Sequence, residues 1–183
     1  MAADIDNFET ITDFVTGRAL PNVGAEVNRQ MVEKFLVRRK GFNLDDIHIN
    51  FPIAVTIDDE IYRSRVDLVL QVSSRMAMAV KCAAGSLGSR QREILAAARL
   101  LTDYQIPISI VSNGETAIVL DTLTGKEIGK GLDVIPSRKA AEHLAATADF
   151  KIYPEERWKR EAIIFRSYDM MNVNVIRDKG AQS

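Results

Sequence analysis

Apolar residues recur at helical spacing between residues 25 and 40, with Val27, Met31 and Phe35 on one stripe and Val32 and Leu36 beside it. Glu26, Gln30 and Glu33 run along the flank of that stripe, and Gly41 supplies a stop. The period then changes from helical to alternating. Ile49, Phe51, Ile53, Val55 and Ile57 alternate with other residues, followed by a turn at Asp58-Asp59. Val66, Leu68, Leu70 and Val72 alternate next, then Met76, Met78, Val80 and Cys82, with Ser73-Ser74-Arg75 as the loop between them. Three consecutive strands are predicted. A loop with Gly85 and Gly88 leads into a helix over 89–103, where Ile94 to Ala98 and Leu100-Leu101 predict deep burial. Short strands are predicted over 107–111 and 117–120, joined by the Asn113-Gly114 turn. Gly125, Gly129 and Gly131 mark a loop. Ser137 can cap a helix reaching to about residue 147, and Tyr153-Pro154-Glu155-Glu156 opens a last one with acids in its first turn. Residues 170–177 alternate like a terminal edge strand.

This interleaving predicts an α/β protein with residues 1–24 as a loosely held lead-in and 25–183 as one domain with C-terminal helices. The 183 residues are 46% hydrophobic and 27% charged, which leaves ample apolar mass for a core. A net charge of −1 gives no overall attraction to a polyanion, so nucleic-acid binding requires a local basic patch. The single cysteine, Cys82, excludes an internal disulfide and suits a reducing compartment. No run approaches the roughly 20 apolar residues that cross a bilayer. The first residues carry acids where a secretory signal has an apolar run, so a cytoplasmic location without membrane association is expected. No Walker motif occurs, which excludes an ATPase motor in this chain. His48 and His143 have no neighbouring ligand-type residues and do not suggest zinc.

The second and third strands carry the candidate chemistry. A hairpin that opposes Val72 with Met76 also opposes Leu70 with Met78, Leu68 with Val80 and Val66 with Cys82. Every apolar residue then meets another on one face, and a slip by one residue would send half of them to the other. The same register sets Asp67 opposite Lys81 on the second face, among Ala77, Ala79 and Ala83. Two readings remain open. The pair is a hydrolytic centre in a small-residue pocket, or a plain cross-strand ion pair contributing about 0.2–1 kcal/mol.

Three segments follow one another in a familiar order: Gly24-Ala25-Glu26-Val27-Asn28-Arg29-Gln30, then Tyr62-Arg63-Ser64-Arg65-Val66-Asp67-Leu68-Val69, then Ala79-Val80-Lys81-Cys82-Ala83-Ala84. Over residues 24–122 the chain resembles the N-terminal nuclease domain of type I restriction enzyme R subunits, a branch of the PD-(D/E)XK nuclease superfamily. The resemblance implies a restriction-endonuclease-like core, with a mixed central sheet flanked by helices. It further implies that Asp67 is a strand aspartate binding metal, Glu26 a helix glutamate completing the ligand set, and Lys81 a catalytic lysine, with Mg2+ as cofactor. The family's Glu-x-Lys motif is incomplete. If Lys81 is the catalytic lysine, Ala79 stands where the glutamate should be; if Cys82 aligns with the middle residue, Lys81 and Ala83 replace the pair.

Between Ile61 and Arg99 lie seven basic residues and only two acids, Asp67 and Glu93. Arg63, Arg65, Arg90 and Arg92 are therefore candidate contacts to a phosphate backbone. Gly85-Ser86-Leu87-Gly88-Ser89 lacks both the lysine of a P-loop and the third glycine of a dinucleotide fingerprint, and reads as a simple strand-to-helix turn. The functional expectation is a DNA-binding domain of restriction-nuclease type whose degenerate site gives weak or absent magnesium-dependent deoxyribonuclease activity in the isolated chain. The expected partners are DNA and either a second copy of the chain or a partner restriction subunit. The alternative is an inactive nucleic-acid-binding or assembly module that keeps the fold.

Overall fold

The computed structural model describes residues 9–172. A short hairpin of β1 (Thr10–Thr12) and β2 (Ala19–Pro21) precedes helix α1 (Glu26–Lys40), which Gly41 closes in the left-handed conformation at φ 78°. Six strands then form one sheet in sequential order: β3 (Ile47–Ile57), β4 (Glu60–Val72), β5 (Arg75–Cys82), β6 (Ile108–Ser112), β7 (Ala117–Asp121) and β8 (Glu127–Lys130). Neighbours are antiparallel except β5 and β6, which run parallel. A parallel pair needs a crossover, and α2 (Gln91–Leu100) provides it. Helices α3 (Arg138–Thr147) and α4 (Glu155–Asp169) follow. The expected α/β class with a mixed central sheet and flanking helices is thus observed, consistent with a restriction-endonuclease-like core.

The sheet separates two apolar layers. Val32 and Leu36 of α1 and Ala141 of α3 pack with Leu68, Leu70, Met78, Val80 and Cys82 on one face. Ile94 and Ala97 of α2 and Ala162 and Phe165 of α4 pack with Val66, Val69, Ala79 and Val111 on the other. Leu68, Leu70, Met78 and Ile110 are wholly buried, each stabilising the fold by about 1.5–3 kcal/mol. On α1 it is the Val32–Leu36 row that faces the sheet, while Val27 is 44% exposed.

The register of the central hairpin matches expectation in its middle and departs at both ends. Leu68↔Val80 and Leu70↔Met78 pair as the alternation requires. The loop is two residues, Ser73 and Ser74, both left-handed at φ 49° and 62°, so Val72 meets Arg75 rather than Met76. Two successive positive φ values match the right-handed strand twist, and a register shift after Leu70 restores the apolar pairing. In β3, Asn50 is left-handed at φ 49° between the rungs Ile49↔Leu68 and Phe51↔Val66. Ile47 and Ile49 consequently face the α1 layer, whereas Phe51, Ile53, Val55 and Ile57 face the α2–α4 layer.

Two further departures concern an edge strand and the N-terminal segment. β8 occupies part of the stretch expected as a glycine loop, because an edge strand of polar residues carries no apolar alternation to read. Residues 9–24, expected to be loosely held, dock on α1 through the buried Asp13. The terminal strand expected over 170–177 lies outside the described residues from 173 onward, and residues 170–172 turn away from the end of α4. Among the described residues no helix is long and apolar enough to cross a membrane.

Candidate active site

The β4–β5 ladder ends at Leu68↔Val80. One residue further, Asp67 turns its carboxylate onto the β5 backbone, where Oδ2 accepts the Cys82 N–H at 2.6 Å. Lys81 Nζ lies 3.3 Å from Asp67 Oδ2 and 3.4 Å from Oδ1. The expected pair therefore meets. A side chain bonded to the backbone takes the place of the next ladder rung.

Lys81 has a second carboxylate partner that the sequence reading passed over. Glu93 Oε1 stands 3.2 Å from Lys81 Nζ, presented from the first turn of α2, where the helix dipole favours an acid. Glu93 Oε2 accepts from Arg90 Nη1 at 3.2 Å and Oε1 from Asn172 Nδ2 at 3.0 Å. Glu93 is only 3% exposed. A signal for it existed: Glu93 lies four residues before Ala97 and seven before Leu100, on the helix stripe predicted to be buried. An acid on an apolar stripe needs a buried cation, and Lys81 is that cation.

Burial alone would lower the Lys81 pKa, but Asp67 first, then Glu93 and Asp169, outweigh it and hold the ammonium well above the usual lysine range. Lys81 is thus a fixed cation. A group so far from neutrality is a poor general base, and its chemistry is to orient donors and offset negative charge. Both carboxylates retain an acceptor lone pair after these contacts. Two hard oxygen donors of this kind suit magnesium, which is commonly held by one or two carboxylates plus phosphate oxygens and water. Among the described residues no three carboxylate, imidazole or thiol groups converge as a ligand set.

The site is closed from above. A cavity of about 10 Å³ beside Lys81 and Glu93 is lined by Arg65, Val66, Ile94, Ala97 and Phe165, room for about one water. The end of α4 forms the roof: Arg90 Nη1 donates to the Tyr168 carbonyl at 3.3 Å, Tyr62 Oη donates to Asp169, and Asn172 Nδ2 reaches Asp169 Oδ1 at 3.3 Å as well as Glu93.

Glu26 has partners of its own on α1. It bonds Arg29 and Gln30 in a second ionic cluster on α1, and the buried face of α1 covers the opposite side of the sheet. In that cluster Arg29 also pairs with Asp13 at 2.8 Å and with Glu33. Three acids thus share one cation. Burial, only partly offset by Arg29, raises the Glu33 carboxyl to about 7, and its Oε2 is buried without a partner. Asn28, on the same helix, donates to the Ala83 carbonyl at 2.7 Å and ties α1 to the exit of β5. Burial raises the Cys82 thiol well above its usual value and leaves it an inert core group.

The four candidate arginines divide into two kinds. Arg63 and Arg65 are exposed on β4, opposite Ala54 and Pro52, and Arg65 borders the cavity. Arg90 is engaged by Glu93 and the Tyr168 carbonyl, while Arg92 is half-exposed, 3.5 Å from Glu161. Residues 24–136 match the model of the family described as type I restriction enzyme R protein N terminus. No match was found among curated proteins or among solved structures.

Proposed function

This chain belongs to the type I restriction enzyme R protein N-terminal family, and from that premise we propose that it is a restriction-nuclease-related domain that binds DNA and hydrolyses its phosphodiester backbone with magnesium. The observation that carries this reading is Lys81 Nζ held 3.2–3.4 Å from the carboxylates of both Asp67 and Glu93. Asp67 and Glu93 are the residues that would hold the cation, so Glu93 on α2 takes the place of the carboxylate missing at Ala79. The bound metal would polarise the phosphodiester and acidify its attacking water.

The chain's own residues carry the remaining work. Lys81, whose ammonium form the neighbouring carboxylates favour, offsets charge growing on the phosphate oxygens. Asp67 fixes the β5 backbone through the Cys82 N–H and so sets where Lys81 projects. Arg63 and Arg65, exposed and without an ion pair among the described residues, offer their charge to the strand flanking the scissile bond. Partners on this reading are DNA and a further restriction subunit.

The test is magnesium- or manganese-dependent cleavage of single- and double-stranded DNA, linear and circular. Asp67→Asn and Glu93→Gln should each lower the rate by about a hundredfold or more, while Glu26→Gln should leave it within about threefold. Cleavage that survives Glu93→Gln removes α2 from the mechanism. A second reading, DNA binding without cleavage, is favoured by the 8% exposure of Lys81. It predicts salt-sensitive DNA retention that needs no metal.

A further inference from the structure

Of the three groups assigned to cleavage, Asp67 is partly exposed while Lys81 and Glu93 are out of reach of DNA in this conformation. Lys81 and Glu93 are buried, and the space beside them is about 10 Å³, roughly one water and far less than a phosphate group occupies. Among the described residues, part of the cover comes from the end of α4 and the residues just after it. Phe165 walls the cavity, the Tyr168 carbonyl holds Arg90, Asp169 accepts from Tyr62, and Asn172 donates to Glu93. All four residues lie on or just after α4, beyond residue 136, where the family match stops.

The roof is attached differently from the rest of α4. Ala162 and Phe165 belong to the apolar layer, and Glu161 is locked to Arg99 at 2.8 Å and to the Tyr153 hydroxyl at 3.0 Å. After Phe165 the attachment to β4 and α2 turns polar: the Tyr62–Asp169, Arg90–Tyr168 and Asn172–Glu93 bonds. A terminal turn held by polar bonds can open locally without loss of the core beneath it. We infer that the C-terminal end of α4 is a latch over the Asp67–Lys81–Glu93 site, and that its release admits the polynucleotide. The latch is a property of the fold, and only its role in admitting DNA rests on the nuclease reading.

The latch is tested by the chemical accessibility of Lys81 in the full chain, which needs no catalysis. Wild type and the Tyr62→Phe/Asn172→Ala double variant are treated with an amine-acetylating reagent, and Lys81 modification is followed by peptide mass spectrometry against the exposed Lys159. The variant should acetylate Lys81 at least about tenfold faster, a shift of about 1.4 kcal/mol in the opening equilibrium. The Cys82 thiol, buried in the opposite layer, should stay unreactive toward maleimide. An unchanged Lys81 rate overturns the latch, and so does Cys82 becoming reactive in step, since that reports loosening of the whole fold. Faster Lys81 labelling with no cleavage in either protein upholds the latch and removes the nuclease reading; faster labelling with faster cleavage supports both.

Discussion

Two ionic clusters lie on opposite sides of the same sheet, and each rings one central cation with carboxylates. Around Arg29 stand Asp13, Glu26 and Glu33, with side-chain exposures of 0%, 14% and 0%. Around Lys81 stand Asp67 and Glu93, and Arg90 brings a second positive charge to Glu93. The difference lies in the balance. In the Lys81 cluster two cations contact Asp67 and Glu93, with Asp169 a further acid nearby. Where one cation serves three, burial of Glu33 is only partly offset by Arg29, and with Asp13 and Glu26 adding to it the carboxyl is raised to about 7. The α1 cluster binds the N-terminal hairpin to the domain; the Lys81 cluster keeps two carboxylates ready for a cation.

The comparison can be broken hardest at its two centres. Arg29→Ala leaves three acids around an empty place and should cost about 3–5 kcal/mol in urea unfolding. Lys81→Ala should cost less, about 2 kcal/mol, because Asp67 is 22% exposed and can recover water. Equal losses would deny the two clusters different roles.

Proton uptake sharpens the contrast. The folded chain binds the Glu33 proton more tightly than the unfolded chain, so this stabilisation is full below the ordinary glutamate value of 4.5 and is lost as pH rises through about 7. Glu33→Gln removes that loss. The variant should therefore gain on wild type by up to about 3 kcal/mol between pH 4.5 and pH 8, read from denaturation midpoints across that range. A parallel pair of pH curves would place the proton elsewhere. The smallest effect is expected at the exposed rim: Arg63→Ala and Arg65→Ala should each reduce the slope of log affinity for DNA against log salt by about 1, with no change in stability.

Much of this arrangement was legible before any coordinates. Alternation fixed the Leu68–Val80 register, and from it the meeting of Asp67 and Lys81 follows, because a one-residue slip would turn Leu68 and Leu70 to the opposite face of the sheet. The hairpin loop was misjudged by one residue, since Ser73-Ser74 does not advertise two left-handed residues as Asn-Gly would. Glu93 was counted only among charges on a basic stretch, although its place on the Ala97–Leu100 stripe marked it for burial. Glu26 was assigned by likeness to a helix glutamate. Which face of the sheet a helix covers depends on the path of the connecting chain, and the period of α1 does not contain that information.

Asn50 has an effect out of proportion to its exposed amide. Because the backbone turns left-handed there, neighbours that a regular strand would place on the same side serve different storeys of the building. A valine at this point would resist that turn, and a straightened β3 would roll its outer half over, carrying Phe51, Ile53, Val55 and Ile57 out into water. One swivel in a long ribbon thus decides that the floor under α4 is greasy, and that Asp67, level with the swivel, stands at its threshold.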